Sequence, residues 1–191
     1  AAETGPDTGV FTAEIALQGY VLSTSHNGPA SVSNTCSTTD STAGKLKTAG
    51  QTDGISVSYE YNNNVVVVAS ASIAFNIAEA GFDTSSASTS GSATLTVTDA
   101  DENANSAIIE DFNVDVYSDS DNGGFTLSMA ETNEDTGVFE GTVYFTSSDA
   151  TSGSNLRVSE GDTVTAEYSD TTLPEPYTDS DSLTVASTLT I

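Results

Sequence analysis

Between Val138 and Phe145 the chain alternates, with Phe139, Gly141, Val143 and Phe145 in one set and Val138, Glu140, Thr142 and Tyr144 in the other. Strand side chains point to opposite faces in turn, so this is a half-buried strand with the Phe139 set inward. Ahead of it, Asp135-Thr136-Gly137 is turn chemistry: Asp folds its carboxylate onto nearby N–H groups and Gly accepts positive φ. The same period of two runs through Ala93–Val97, Phe112–Val116, Phe125–Met129, Val164–Tyr168 and Leu183–Ile191, and a shorter apolar stretch covers Leu156–Val158. Asn122-Gly123 within Ser118–Gly124 predicts a hairpin turn. Nearer the N-terminus, Phe11, Ile15 and Leu17 read as core positions. A strand is expected over Asp53–Tyr61, a turn at Asn62–Asn64, and a long strand over Val65–Ile77 whose first half is apolar on both faces. Such a strand is central in a sheet or lies at an interface. No window shows convincing helical periodicity; the best candidate, Ile73–Phe82, is too short and too interrupted by alanine and glycine. The predicted class is all-β.

The turn and strand have a twin. Glu3-Thr4-Gly5-Pro6-Asp7-Thr8-Gly9-Val10-Phe11 matches Glu131–Phe139 at seven of nine positions, 128 residues apart (131 minus 3). That spacing is about one domain. Asp53–Tyr59 aligns with Asp162–Tyr168, and Val68-Ala69-Ser70 with Val185-Ala186-Ser187. Residues 1–79 therefore read as the C-terminal half of a β-sandwich, 80–91 as a linker, and 92–191 as a complete copy. The first unit has no counterpart of 92–129, and a sandwich lacking strands leaves open edges and an uncovered core. Another segment or subunit is expected to complete it. The start at Ala1-Ala2-Glu3, directly on the motif, reads as processed or cut from something longer, and no signal peptide or membrane span is visible in the sequence. The polar stretch 23–45 has no matching insert in the second copy.

Charge changes the picture. Three Lys and Arg (Lys45, Lys47, Arg157) face 28 Asp and Glu, for a net charge of −25. Self-repulsion of that size destabilises a compact state unless salt or bound cations offset it. Nucleic acid needs a basic face, so it is excluded as a partner, and so are anionic membrane surfaces. Cys36 is the single cysteine and His26 the single histidine. Both sit in the polar stretch, where an inert or intermolecular thiol is a better reading than a Cys/His catalytic pair. Asn34-Thr35-Cys36 is the rare form of a glycosylation sequon. Carboxylate pairs arise by chance in so acidic a chain, and no phosphate loop, metal-hydrolase motif or nucleophile elbow is present, so an enzyme is not expected.

Val97-Thr-Asp-Ala-Asp-Glu-Asn103, Glu131-Thr-x-x-Asp-Thr-Gly-Val-Phe139 and Gly161-Asp-Thr-Val-Thr-Ala-Glu-Tyr168, in this order, resemble the immunoglobulin-like repeats of archaeal surface-layer (S-layer) proteins, especially those of ammonia-oxidising archaea, and related bacterial adhesin repeats. The resemblance covers the second unit and residues 3–77 of the first. It implies Ig-like antiparallel β-sandwich repeats, one complete and one partial, in an extracellular lattice on the cell surface, with Ca²⁺ rigidifying the domains.

The residues offer ligands of the right kind. Asp99, Asp101 and Asn103 place side-chain oxygens at alternate positions, and Glu131 and Asp135 stand in the neighbouring loop. Ca²⁺ takes six to eight oxygens at flexible geometry, and Mg²⁺ is the other hard cation such a set suits. An EF-hand is rejected, because the sixth position lacks Gly and no helices flank the loop. The bland alternative is that these acids cap turns. Glu3 and Asp7 are the equivalents in the first unit. Asp115, Asp119 and Asp121 form a weaker cluster, and Asp179 and Asp181 read as solvated. The function expected is that of a structural, self-assembling surface-layer component partnered by copies of itself or adjoining domains. So acidic a lattice is expected to concentrate small cations, ammonium among them. The rivals are a pilus or thread subunit polymerising by donated strands, and an adhesin stalk.

Overall fold

The computed structural model of this chain describes residues 1–13, 16–18, 45–47, 54–103, 107–148, 150–174, 176–177 and 181–191, with 16–18 and 45–47 described for backbone only. The fold is all-β, and the described residues contain no helix. The strands are β1 (Ala2–Glu3), β2 (Phe11–Thr12), β3 (Ala16–Gln18), β4 (Lys45–Lys47), β5 (Gly54–Asn62), β6 (Val65–Ser72), β7 (Glu79–Phe82), β8 (Ser92–Thr98), β9 (Asp111–Ser118), β10 (Asp121–Glu131), β11 (Val138–Thr146), β12 (Asn155–Arg157), β13 (Thr163–Asp170) and β14 (Leu183–Thr190).

β7 to β14 share one sheet in the order β14-β13-β9-β10-β11-β8-β7, with β12 added in parallel beside β11. The sheet rolls until its ends meet. Ser86 bridges Thr190, Ala87 N–H donates to the Thr190 carbonyl, and Phe82 N–H donates to Ser187 Oγ. Near-closure of this kind leaves little free edge. The inward positions are those the alternation names: Leu95, Val97, Phe112, Val114, Val116, Met129, Phe139, Val143, Val164, Ala166 and Tyr168 are all buried. Phe112 lies between Phe139 and Tyr168, with ring centroids 4.5 and 4.9 Å away. Each buried Val, Leu, Phe or Met among them contributes roughly 1.5–3 kcal/mol by leaving water.

The first unit repeats the second at the level of strand register. Ala2 and Glu3 pair with Thr12 and Phe11, as Ala130 and Glu131 pair with Glu140 and Phe139. β3 runs parallel to β4 with Leu17 opposite Leu46, as β11 runs parallel to β12 with Phe145 opposite Leu156. The β5–β6 hairpin matches β13–β14. There Tyr59 faces Val67 as Tyr168 faces Val185, which moves the expected Val68–Val185 equivalence by one residue. The first unit therefore holds counterparts of the end of β10 and of β11 to β14. Among the described residues it has none of β7, β8, β9 or most of β10. In the second unit β9 and β10 join β13 to β11. The described residues of the first unit form three separate two-stranded ladders, β1-β2, β3-β4 and β5-β6.

Several expectations are corrected. Glu79–Phe82, placed at the end of the half unit and the start of a linker, is a strand of the second sheet paired with β8. Ala78 is buried, and Ala80, Phe82 and Ala87 pack on the core. Their alternation is a strand signal that the Ser/Thr-rich run 84–90 obscures. Phe11, read as core, is 64 % exposed, because no described strand lies over it as β8 and β9 lie over Phe139. The side chains of Ile15 and Leu17, the insert 23–44, Cys36 and His26 lie outside the described residues. The long strand over 65–77 stops at Ser72. Ile108 and Ile109 precede β9 and are exposed. The β9–β10 turn is Asp119-Ser120, and Asn122–Gly124 is a bulge in which Gly124, not Gly123, has positive φ. A side chain at Gly124 would run into the Val116 carbonyl oxygen.

Candidate metal centre

The Glu131–Gly137 turn is built around one carboxylate. Glu131 Oε1 accepts from the N–H of Thr136 at 2.7 Å and of Gly137 at 2.8 Å, and from Thr136 Oγ1 at 3.2 Å. Burial alone raises a carboxyl pKa, but these donors outweigh it and hold Glu131 below its ordinary value. Gly137 sits at φ 61°, and a Cβ there would lie 2.9 Å from Ala100 Cα. The turn thus presses against the residues that follow β8, and Asp99 N–H donates to the Gly137 carbonyl at 2.8 Å. Glu3 repeats the arrangement in the open, accepting from Gly9 N–H at 2.8 Å. Glu131 and Glu3 are therefore turn-holding carboxylates. Asp7, two residues before Gly9, also stands at positive φ in this turn.

Beyond β8 the chain carries three acids inward. Asp99, Glu102 and, from the end of β13, Asp170 are all buried. Tyr168 donates its hydroxyl to Asp99 Oδ2 at 2.7 Å and lies 3.4 Å from Glu102 Oε1. Asp99 Oδ1 accepts from Asp101 N–H, and Asp101 Oδ2 accepts from Asn76 N–H at 2.6 Å. Asp170 accepts from Ala78 N–H at 2.8 Å and Thr172 N–H at 2.9 Å. Burial, first, and the charge of Asp99, second, push Glu102 up to about 8. Burial lifts Asp101 to about 6, and Asp99 is raised by burial and by the charge of Asp170. Tyr168 is raised by burial and by the charges of Glu102 and Asp99.

Of the five second-unit residues expected to share a cation, the structure brings Asp99 and Asp101 together and adds Glu102 and Asp170. It assigns Glu131 to the turn and pairs Asn103 Nδ2 with Asp135 Oδ1 at 2.9 Å. Sequence spacing does not point to Glu102 and Asp170, because only Asp99, Asp101 and Asn103 alternate; Asp170 is 71 positions from Asp99 (170 minus 99) and joins through the fold. Glu102 stood in the Asp-Ala-Asp-Glu run, and Asp170 two residues beyond Tyr168 was the available signal. The weaker cluster disperses into turns and bonds of its own: Asp119 accepts from Thr163 N–H, Asp121 from Gly123 and Gly124 N–H and Thr151, and Asp115 from Thr126. Asp179 lies outside the described residues.

Two observations bear on a cation. The only basic side chain described, Arg157, donates to the Ser120 carbonyl and lowers Asp121 and Asp162, so its charge serves a different acidic group. Asn103 Oδ1 is buried and meets no donor among the described residues. The donors are hard oxygens, which suit Ca²⁺ or Mg²⁺. The carboxylates point to Tyr168 and backbone N–H groups, and no three of them are arranged around one point among the described residues. No protein-family model and no curated protein sequence matches this chain.

Proposed function

We propose that this chain is a structural component of an extracellular surface layer, built from Ig-like repeats that assemble with copies of themselves and are stiffened by Ca²⁺. The observation that carries the reading is the Asp99–Asp101–Glu102–Asp170 group. Buried charges are ordinarily paired or coordinate a metal, and no basic side chain serves this group among those described. To hold an ion, Asp99, Asp101, Glu102 and Asp170 would turn from their present Tyr168 and N–H partners toward one point, with Asn103 Oδ1 as a neutral oxygen in the same loop. A bound ion would supply positive charge that lets the β8 end, the Glu131–Gly137 turn and the β13 end stay together without protonation. The all-β fold, the repeat and the net charge of −25 are consistent with the same setting.

The test is negative-stain imaging and mass measurement with Ca²⁺ and again after chelation. Sheets that come apart on chelation are the expected result. Filaments in place of sheets would favour a thread subunit. A folded monomer in both conditions would overturn the assembly reading and favour a stalk.

A further inference from the structure

The first unit displays the inner face of a sandwich with nothing described upon it. Ile55, Val57 and Tyr59 of β5 occupy the register positions of Val164, Ala166 and Tyr168, all three buried in the second unit. Val57 is 52 % and Tyr59 67 % exposed, and Phe11 stands where Phe139 is fully buried. What covers this face is established within the same chain. In the second unit β9 pairs along the outer edge of β13, Val164 opposite Ser118 through Glu167 opposite Asp115. β8 pairs along β11, and the residues after it receive the Tyr168 hydroxyl.

We infer that the β5 face and its edge over Ile55–Ser58, unpaired among the described residues, together with Phe11, bind a partner segment of the β8–β10 kind. Its chemistry follows position by position. It brings an alternating strand with Val and Phe inward to pair with Ile55–Ser58. A neighbouring strand of Leu and Val lies against Phe11, ending in acidic residues that accept from the Tyr59 hydroxyl as Asp99 and Glu102 accept from Tyr168. Edge pairing gives such a complex its backbone hydrogen bonds, and the alternate pockets give it register. The match joins three short ladders into one sheet, which no single added strand would do.

The inference concerns how the proposed assembly is made, and the test separates the two because it runs with calcium chelated throughout. The full chain is followed by amide hydrogen exchange at 54–59, alone over a concentration range and after addition of a separate polypeptide of its residues 77–131. The expected result is fast exchange in the chain alone at every concentration and slowing of at least about tenfold on addition. Val57→Asn should abolish the slowing, and Ser58→Asn on the opposite face should leave it. Val57 is already half exposed, so its loss leaves the rest of the fold intact. Three outcomes overturn the inference. No slowing on addition means that the face does not accept these strands. Slow exchange in the dilute chain alone means that the chain's own residues cover it. Slowing with concentration alone means that a second copy packs on it directly.

Discussion

Glu131 and Glu3 are one residue in two surroundings. Both hold a turn by accepting from the Gly137 or Gly9 N–H, but Glu131 is buried beneath the β8 end and Glu3 faces solvent. Removing a buried acceptor leaves its donors unmade, so Glu131→Ala is expected to cost about 1–3 kcal/mol in denaturant unfolding of the second unit. Glu3→Ala should leave that transition within about 0.5 kcal/mol of the wild type. Glu102 gives a pH dependence of unusual sign. Its ordinary value is 4.5 and burial lifts it to about 8, so between these pH values the folded chain holds a proton that the unfolded chain releases. Stability from this group is fully present below about pH 4.5 and is lost as pH rises through about 8. Asp101, lifted from 3.8 to about 6, acts in the same direction over a lower window. Glu131 is lowered and acts oppositely: its contribution is present above 4.5 and lost as pH falls through its folded value. With calcium chelated, thermal melts should therefore show higher stability near pH 5 than near pH 8, and Glu102→Gln should flatten most of that slope. A chelated protein that gained stability from pH 5 to pH 8 would contradict the assignment.

At the scale of strands, β11 and β2 carry the same motif with opposite burial. Phe139 is fully buried against Phe112, and Phe139→Ala is expected to destabilise the second unit by about 3–5 kcal/mol. Phe11→Ala, at the matching register but exposed, should change unfolding by less than about 0.5 kcal/mol, which paired urea titrations would measure. The same contrast decides which elements the sequence alone makes legible. Alternation located β8, β9, β11, β13 and β14 and their inward residues, because a half-buried strand writes its burial into the period of two. The pairing of β3 with β4 could not be read, since a three-residue strand carries no period. β7 was hidden by the Ser/Thr run after it, although Ala78, Ala80 and Phe82 do alternate. The exposure of Phe11 depends on strands that have no counterpart among the described residues of the first unit, so no local pattern could report it. The carboxylate group was half legible. Asp99 and Asp101 show in the loop spacing, whereas Asp170 arrives only when β13 packs beside β9 and Tyr168 reaches back to Asp99.

For the molecule as a whole, a net charge of −25 sets two responses that can be separated. Monovalent salt screens surface repulsion over roughly 8–10 Å near physiological strength, and it acts on every exposed carboxylate alike. Buried carboxylates are screened far less, so salt should stabilise the chain without relieving Asp99, Glu102 and Asp170. A cation that binds the folded state and not the unfolded one adds stability by mass action, about 2.7 kcal/mol at a hundredfold excess over its dissociation constant. For a unit of this size that corresponds to a rise in melting temperature of roughly 10 °C or more. Millimolar Ca²⁺ is therefore expected to raise the melting temperature of the second unit well beyond sodium chloride of equal ionic strength. Asp170→Asn combined with Glu102→Gln should remove the calcium-specific part and leave the salt-dependent part in place. Equal responses to the two salts would place the whole effect in surface screening and leave the buried group to protons alone.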